Sequence, residues 1–534
     1  MENKRRQVPD RLTIDLYHPG MNMLAQAGLG GLAATLQSWS KAIEDDESEH
    51  PGNAEWQITD RSVTLIWGDE PGAAGRFFAA LYAYAFRIHE GLIDMPGTYE
   101  YGKMPKLELL AEMQRGLSNT ILQFGPNRKT RSKETLIQME TIDDKSIEIK
   151  HQDLIGYTHQ KSWESLNNKK GDLLNEVEVP GTIAPGFVQR HVVFPDSNIA
   201  VSPALAIALH FAIVGTISLN LDGGAAVLVI PEVDDLNLFA RKRYRLTPET
   251  VRSCQIKNTG EAAMESEVRC WSDSAAKKLK ANKFSVIEFR SPAWSTQQKT
   301  RTAVHDYELG VAQLEFFNHI LKMEEFQPRV ATVKATKKNE QPRNFFAKSV
   351  VKPLLAENIA TGQKWYRNFR SLIVSADGRP SEDMWHHLSF ERKGLDKMAE
   401  DSDIRKYWTD CGEIAFVQAI HSAMRNRYRE IFDEAGEDPV TSGNRIERQH
   451  QRWRIALANA KTQADFSRAL STIWSTGYYN QALQTNWKEI LPLILDPNQW
   501  SLIRDLALFA LASYQPKPRE ATEAPATPAI ANHA

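Results

Sequence analysis

The sequence predicts an α+β protein, with a mixed, largely antiparallel N-terminal domain over residues 1–348, a helical bundle over 349–514 and a disordered tail over 515–534. Three observations predict it. Strand-like and helical stretches interleave in the first half but are joined by tight turns, which favours antiparallel pairing over a doubly wound sheet. Strand signals cease near Ser349, after which apolar residues recur at helical spacing. At 534 residues the chain exceeds one ordinary core, so two or three domains are expected.

The first element is a strand in LTIDLY, closed by a His-Pro-Gly turn. Next comes MNMLAQAGLGGLAATL, in which Gly28 to Ala33 fit G-x-G-x-x-A, a form of the dinucleotide-binding fingerprint. That fingerprint needs its first glycine directly after a buried strand, and an acidic residue ending a second strand about 20 residues later. Here helical character starts at Met21, and the nearby acids, Glu44 to Glu49, lie in the polar loop IEDDESEHPGN. The glycines therefore belong to a close-packed helix, with Leu24, Gly28, Leu32 and Leu36 in one stripe flanked by Ala27, Gly31 and Thr35, and no cofactor is expected. WQITDRSVTLIWGD reads as two short strands around Asp60-Arg61, and Pro71 to Ile93 as an amphipathic helix.

Ile199 to Leu221 carries no charged residue. Ser202 caps a helix begun by Pro203 and ended by Gly215, about 13 residues where a bilayer span needs roughly 20, so a buried helix is expected and no membrane. ISLNLDGGAAVLVIPEV supplies a strand, a turn and a strand; FSVIEFR and QPRVATVKATKK supply two more. In the bundle, Val417, Ile420, His421, Met424, Tyr428 and Ile431 mark a core face, and further helices are expected at 448–460, 462–475 and 500–513. The last stretch, QPKPREATEAPATPAIANHA, has no periodicity.

Motifs for chemistry are sparse. No phosphate loop, zinc-protease helix, nucleophile elbow or paired Cys-x-x-Cys occurs, and the His386-His387 doublet has no identifiable partner ligands. Cys254, Cys270 and Cys411 fit no metal spacing or disulfide framework and point to a reducing cytoplasm. The basic start MENKRRQVPDR is followed by no apolar signal region, which argues against export.

The net charge is only −2, so a nucleic-acid surface must be local. QFGPNRKTRSKE places Asn127 beside Arg128, Lys129, Arg131 and Lys133 in what reads as a loop, where an amide reads a base edge and cations hold phosphates. Between Arg329 and Lys352 stand seven cations (Arg329, Lys334, Lys337, Lys338, Arg343, Lys348, Lys352) and one acid, Glu340, with Phe345 and Phe346 available for stacking. Arg445, Arg448 and Arg452 share a helix face, with Arg454 beside it. Lys161 and Arg190 are weaker DNA-binding candidates. The competing reading is a nucleic-acid-processing enzyme with a dispersed site among His159, His191 and Asp196.

Four ordered stretches resemble the large subunit of type I CRISPR interference complexes (Cascade), in the branch of subtype I-B and Myxan-type systems. They are HPGMNMLAQAGLGGLAATL, PGFVQRHVVF, VLVIPEVDDLNLFARKR and ENIATGQKWYRNFRSLI, spread over residues 12 to 375. The resemblance implies a non-catalytic subunit at the foot of a crRNA-bound backbone. It implies partners: crRNA, target double-stranded DNA, the backbone, 5′-handle-binding and small subunits, and a helicase-nuclease. The N-terminal region would read the PAM duplex and help open it, and the helical domain would guide the displaced strand. In some relatives that domain is also made alone, and Met384 or Met398 would be placed to start it. Guide pairing carries sequence reading in such complexes, so a near-neutral chain with local cationic stretches suits the role.

Overall fold

The structure is a computed structural model. It describes residues 10–141, 145–181, 183, 198–271, 282–290, 301–333, 342–408, 410–435, 439–476 and 479–515. These form two compact units: one holds the described residues up to Lys322 and Gln327–Trp365, the other Met323–Phe326 and the residues from Tyr366 onward.

In the first unit, β1 (Arg11–Asp15) leads through the His-Pro-Gly turn into helix α1 (Met23–Asp45). The Asn22 side chain accepts from the Ala25 amide at 2.9 Å and caps the helix. As the composition predicts, Gly28, Gly30 and Gly31 lie inside it. β2 (Glu55–Ile58) and β3 (Ser62–Ile66) follow, and β1-β3-β2 make an antiparallel sheet.

The helix expected to reach Ile93 stops early: α2 spans Ala73–Ala85, and β4 (Arg87–His89) and β5 (Leu92–Asp94) form a hairpin. Glu90 at φ 48° and Gly91 at φ 79° both take the left-handed conformation of a tight primed turn, which apolar periodicity does not register. Helix α3 (Leu107–Asn119) precedes the long ribbon β6 (Arg128–Glu140) and β7 (Ser146–Tyr157), and β8 (Val177–Pro180) pairs with β9 (Asn198–Val201).

The uncharged stretch forms buried helices α4 (Pro203–His210) and α5 (Ala212–Gly215). The Ser202 hydroxyl accepts from the Leu205 amide at 3.3 Å, as its cap role requires. α1 crosses α4 and α5 with backbone on backbone: a methyl on Gly28 would stand 1.9 Å from the Ala208 carbonyl oxygen, and one on Gly215 1.8 Å from that of Ala27.

Strands β10 (Ile217–Asn220) and β11 (Ala226–Pro231), helices α6 (Leu236–Leu246) and α7 (Thr259–Trp271), and strands β12 (Asn282–Arg290) and β13 (Arg301–Leu309) come next. The sheet β10-β11-β12-β13 is antiparallel throughout. Helix α8 (Val311–Leu321), the hairpin β14 (Arg329–Val333) with β15 (Arg343–Ala347), and helix α9 (Val351–Ala360) complete the unit.

The boundary expected at 348/349 therefore falls short of the observed one at 365/366. α9 stays with the first unit because its Lys352 Nζ sits 2.6 Å from Glu265 and 3.2 Å from Glu261 on α7. Burial opposes the charge on Lys352, but the two carboxylates outweigh it and hold its pKa above the ordinary range.

The second unit is helical: α10 (Glu382–Ser389), α11 (Arg392–Glu400), α12 (Ser402–Arg405), α13 (Cys411–Glu434), α14 (Pro439–Asn459), α15 (Gln463–Trp474), α16 (Gln481–Leu495) and α17 (Trp500–Ser513). All six residues predicted to mark the core face of α13 are buried. His421 Nε2 lies 3.0 Å from the Ala510 carbonyl oxygen, tying α13 to α17.

Candidate nucleic-acid interface

α3 carries Leu109, Leu110 and Ala111 into a small core with Leu92, Ile149, Val251 and Cys254. Ile137 and Met139 of β6 and Phe346 of β15 pack onto it, so one apolar patch backs both hairpins. Along β7, Ile147, Ile149 and His151 are buried while Glu148, Lys150 and Gln152 are exposed, the period-two pattern of a ribbon with one covered face.

The basic stretch read as a loop is a strand. Only Gly125–Asn127 is a turn, and Arg128 begins β6. Asn127 is buried; the Thr158 hydroxyl donates to its main-chain oxygen at 3.1 Å and lies 3.4 Å from its side-chain oxygen. Arg128 is half-buried and donates to the Ser118 carbonyl at 2.9 Å, and burial lowers its pKa. These two residues hold the base of the ribbon together; the expectation that Asn127 presents an amide on a surface loop is corrected.

Lys129, Arg131 and Lys133 are exposed. Thr130 pairs with Leu154 but Glu134 with Gln152, so Arg131, Ser132 and Lys133 stand opposite the single residue Asp153. The surplus bulges from the ladder and aims its side chains away from it. Asp153 accepts from the Thr135 hydroxyl at 2.9 Å, and its carboxylate lies 3.5 Å from His151 Nδ1 and 3.8 Å from Arg131. Lys161 is exposed on the turn Thr158–Leu166 that directly follows β7, at this same end.

The second basic stretch meets the ribbon elsewhere. The Asn344 amide donates to the Ser146 carbonyl at 2.9 Å, and Ser146 pairs with Glu140 at the far end of β6. At about 3.4 Å per residue the two basic regions stand on the order of 30 Å apart along the ribbon. Arg343 is exposed there, and Phe345 keeps 43% of its surface. Phe346 is half-buried under the Arg252 guanidinium, 5.2 Å from the ring centre. Lys348 departs from the expectation: its Nζ donates to the Ile256 carbonyl at 2.7 Å and pairs with Asp222 at 2.9 Å, leaving it a structural cation. Lys334, Lys337 and Lys338 lie outside the described residues, as do Arg190, His191 and Asp196.

In the second unit Arg445, Arg448 and Arg452 are exposed on α14, with Arg445 3.9 Å from Glu434. Arg454 is buried instead, paired with Glu382 and lying 4.8 Å over Trp385.

His159 is fully buried between Phe86 and Tyr157, with neither ring nitrogen hydrogen-bonded, and burial pushes its pKa down to about 4. Among the described residues no three His, Cys, Asp or Glu side chains could hold a metal, His386 and His387 included. No helix of the described residues is long and apolar enough to cross a membrane.

One cationic feature escaped the sequence reading. Helix α6 reads LNLFARKRYRL; its Arg243 is buried, donating to the Thr216 carbonyl at 2.7 Å, while Arg241 is exposed. The run of cations was visible, but only the fold tells the structural one from the exposed one.

Comparison with known proteins adds the family. Residues 13–210 match the DevT N-terminal domain family, and residues 405–531 the DevT C-terminal domain family. The chain is also 31% identical, over 97% of its length and 91% of the relative's, to a protein of Myxococcus xanthus (strain DK1622) described as "CRISPR-associated protein Cas8a1/Csx13".

Proposed function

The chain belongs to the Cas8a1/Csx13 family of CRISPR-associated large subunits, and on that premise we propose that it is the non-catalytic subunit with which a crRNA-guided complex reads the PAM in duplex DNA. The observation that carries this reading is the bulge of β6, which offers Arg131 and Lys133, with Lys129 and Lys161 nearby, at one end of a ribbon backed by α3. A two-stranded ribbon fits the major groove of B-form DNA, and exposed cations at its end suit the flanking phosphates.

Arg343 extends the cationic track toward the other end, and Lys334, Lys337 and Lys338 stay candidates from the sequence alone. Arg445, Arg448 and Arg452 suit a displaced strand, since their face is exposed and lies on a helical unit. Partners in this reading are crRNA, the target duplex, the backbone, 5′-handle-binding and small subunits, and a helicase-nuclease. The burial of Asn127 moves the base-reading role from that residue to the bulge.

Co-purification from the source cell tests the assembly: the chain should arrive with a small repeat-derived RNA and several other subunits. Isolation of the chain alone and free of RNA would defeat the proposal. In the assembled complex, Arg131→Ala with Lys133→Ala should weaken binding to PAM-bearing duplex about tenfold, as removal of phosphate or base-edge hydrogen bonds requires.

A further inference from the structure

A groove runs along the C-terminal half of α1, beyond its glycine crossing. Two cavities share the rings of Tyr99 and Tyr101 as a common wall. The first, about 310 Å3, is bounded by Lys41 of α1, by Arg241 and Tyr244 of α6, and by Glu100, whose carboxylate is paired with Lys103 at 2.9 Å. The second, about 300 Å3, is bounded by Asp46, Glu49, Tyr84 and Arg87. Each falls at the lower end of the size range of small-ligand pockets, roughly 300–1,000 Å3.

The walls are built. Gly97 lets its segment lie against α1, where a methyl would meet the Thr35 hydroxyl at 2.5 Å. The Tyr99 hydroxyl donates to Asp94 at 2.5 Å, and Arg87 lies 4.4 Å over the Tyr84 ring. Ala34 and Ser38 line the first cavity and Ala42 and Asp46 the second, so the groove follows successive turns of α1 for about 18 Å at 1.5 Å per residue.

We propose that this groove binds a single-stranded nucleotide segment, with its phosphate held by Lys41 and Arg241 and a base stacked against Tyr99 and Tyr101. The charge layout selects this ligand. A basic peptide meets Lys41, Arg241 and Arg87; an acidic one meets Asp46, Glu49 and Glu100. A nucleotide carries an anion at one end and, on cytosine, adenine or guanine, amino hydrogens that a carboxylate accepts at the other. Aromatic faces and cations together are the usual means of holding single strands. The inference goes beyond the duplex-reading role: it uses α1, α6 and the Tyr99–Tyr101 segment, not the β6–β7 ribbon.

The test titrates fluorescent six-residue oligo(rC), oligo(dC) and oligo(rU) into the purified full-length protein and follows anisotropy. Oligo-C should bind more tightly than oligo(rU), because uracil lacks the amino group. Lys41→Ala with Arg241→Ala, two exposed positions, should weaken oligo-C binding about tenfold, and Tyr101→Leu should do so too. The rC and dC arms identify the strand as RNA or DNA, and groove-dependent binding of either supports the site. Affinity untouched by both variants overturns it, as does equal binding of oligo-C and oligo(rU), or binding of a hexa-arginine peptide in place of the oligonucleotides. Duplex titrated into the unmodified protein reports on the ribbon separately, so duplex binding without oligonucleotide binding sinks this inference alone.

Discussion

Three buried imidazoles make stability fall as the solution is acidified. Burial pushes His159 to about 4 and His210 and His450 to about 3, while an unfolded chain titrates them near 6.5. Below about pH 6.5 the unfolded state therefore binds more protons than the folded one, so the stability present above that pH is lost as pH falls toward the folded values. Urea midpoints should drop between pH 7.5 and 5, and His159→Leu should flatten the drop; an unchanged slope in that variant counts against the assignment. Lys352 is a second sensitive residue. Lys352→Ala leaves Glu261 and Glu265 buried without their cation and should cost about 3–5 kcal/mol in denaturant unfolding, with partial recovery on adding Glu265→Gln. Asn127→Ala keeps the main-chain bond to Thr158 but removes a buried amide at the ribbon base, and should cost about 1 kcal/mol while leaving PAM preference intact. A relaxed preference would restore the amide to base reading.

At the scale of elements, the sequence made periodic helices and short strands legible and hid whatever depended on register. The α13 core face and the Ser202 cap follow from spacing alone. The β6–β7 ribbon does not, because KTRSKE has no apolar alternation where the bulge interrupts pairing, and it reads as a loop. The same bulge decides the candidate site: which cations are free and which are structural depends on pairings such as Lys348 with Ile256, made by residues far apart in sequence. Replacing Lys129, Arg131 and Lys133 by alanine should lower affinity for PAM-bearing duplex more than for duplex without the PAM, and shrink the salt slope by about 0.9 for each phosphate that is no longer neutralised. An unaltered slope would place the duplex elsewhere. Gly28→Ala, despite a helix-propensity gain of about 1 kcal/mol, should be net destabilising by about 1–3 kcal/mol or more, because the backbone of α4 occupies the space for its methyl. A raised thermal midpoint in that variant would contradict the crossing.

At the scale of the whole molecule, a formal charge of −2 means that any long-range attraction to nucleic acid would come from uneven distribution, and exposed cations include those at the ribbon end, on β15 and on α14. Composition could exclude a uniformly basic surface, but only the fold could show that these patches sit on separate elements. The family match to separate N- and C-terminal domains runs parallel to the division into two units. The glycine crossing of α1 also bears on how the chain is made. A helix with Gly28, Gly30 and Gly31 in its interior gives up about 3 kcal/mol of intrinsic helicity. Its packing surface does not exist until Ala208 and Gly215 have left the ribosome. During synthesis the N-terminal segment must therefore wait as an apolar, weakly helical chain, and a fragment that ends before Pro203 should emerge as a ward of chaperones.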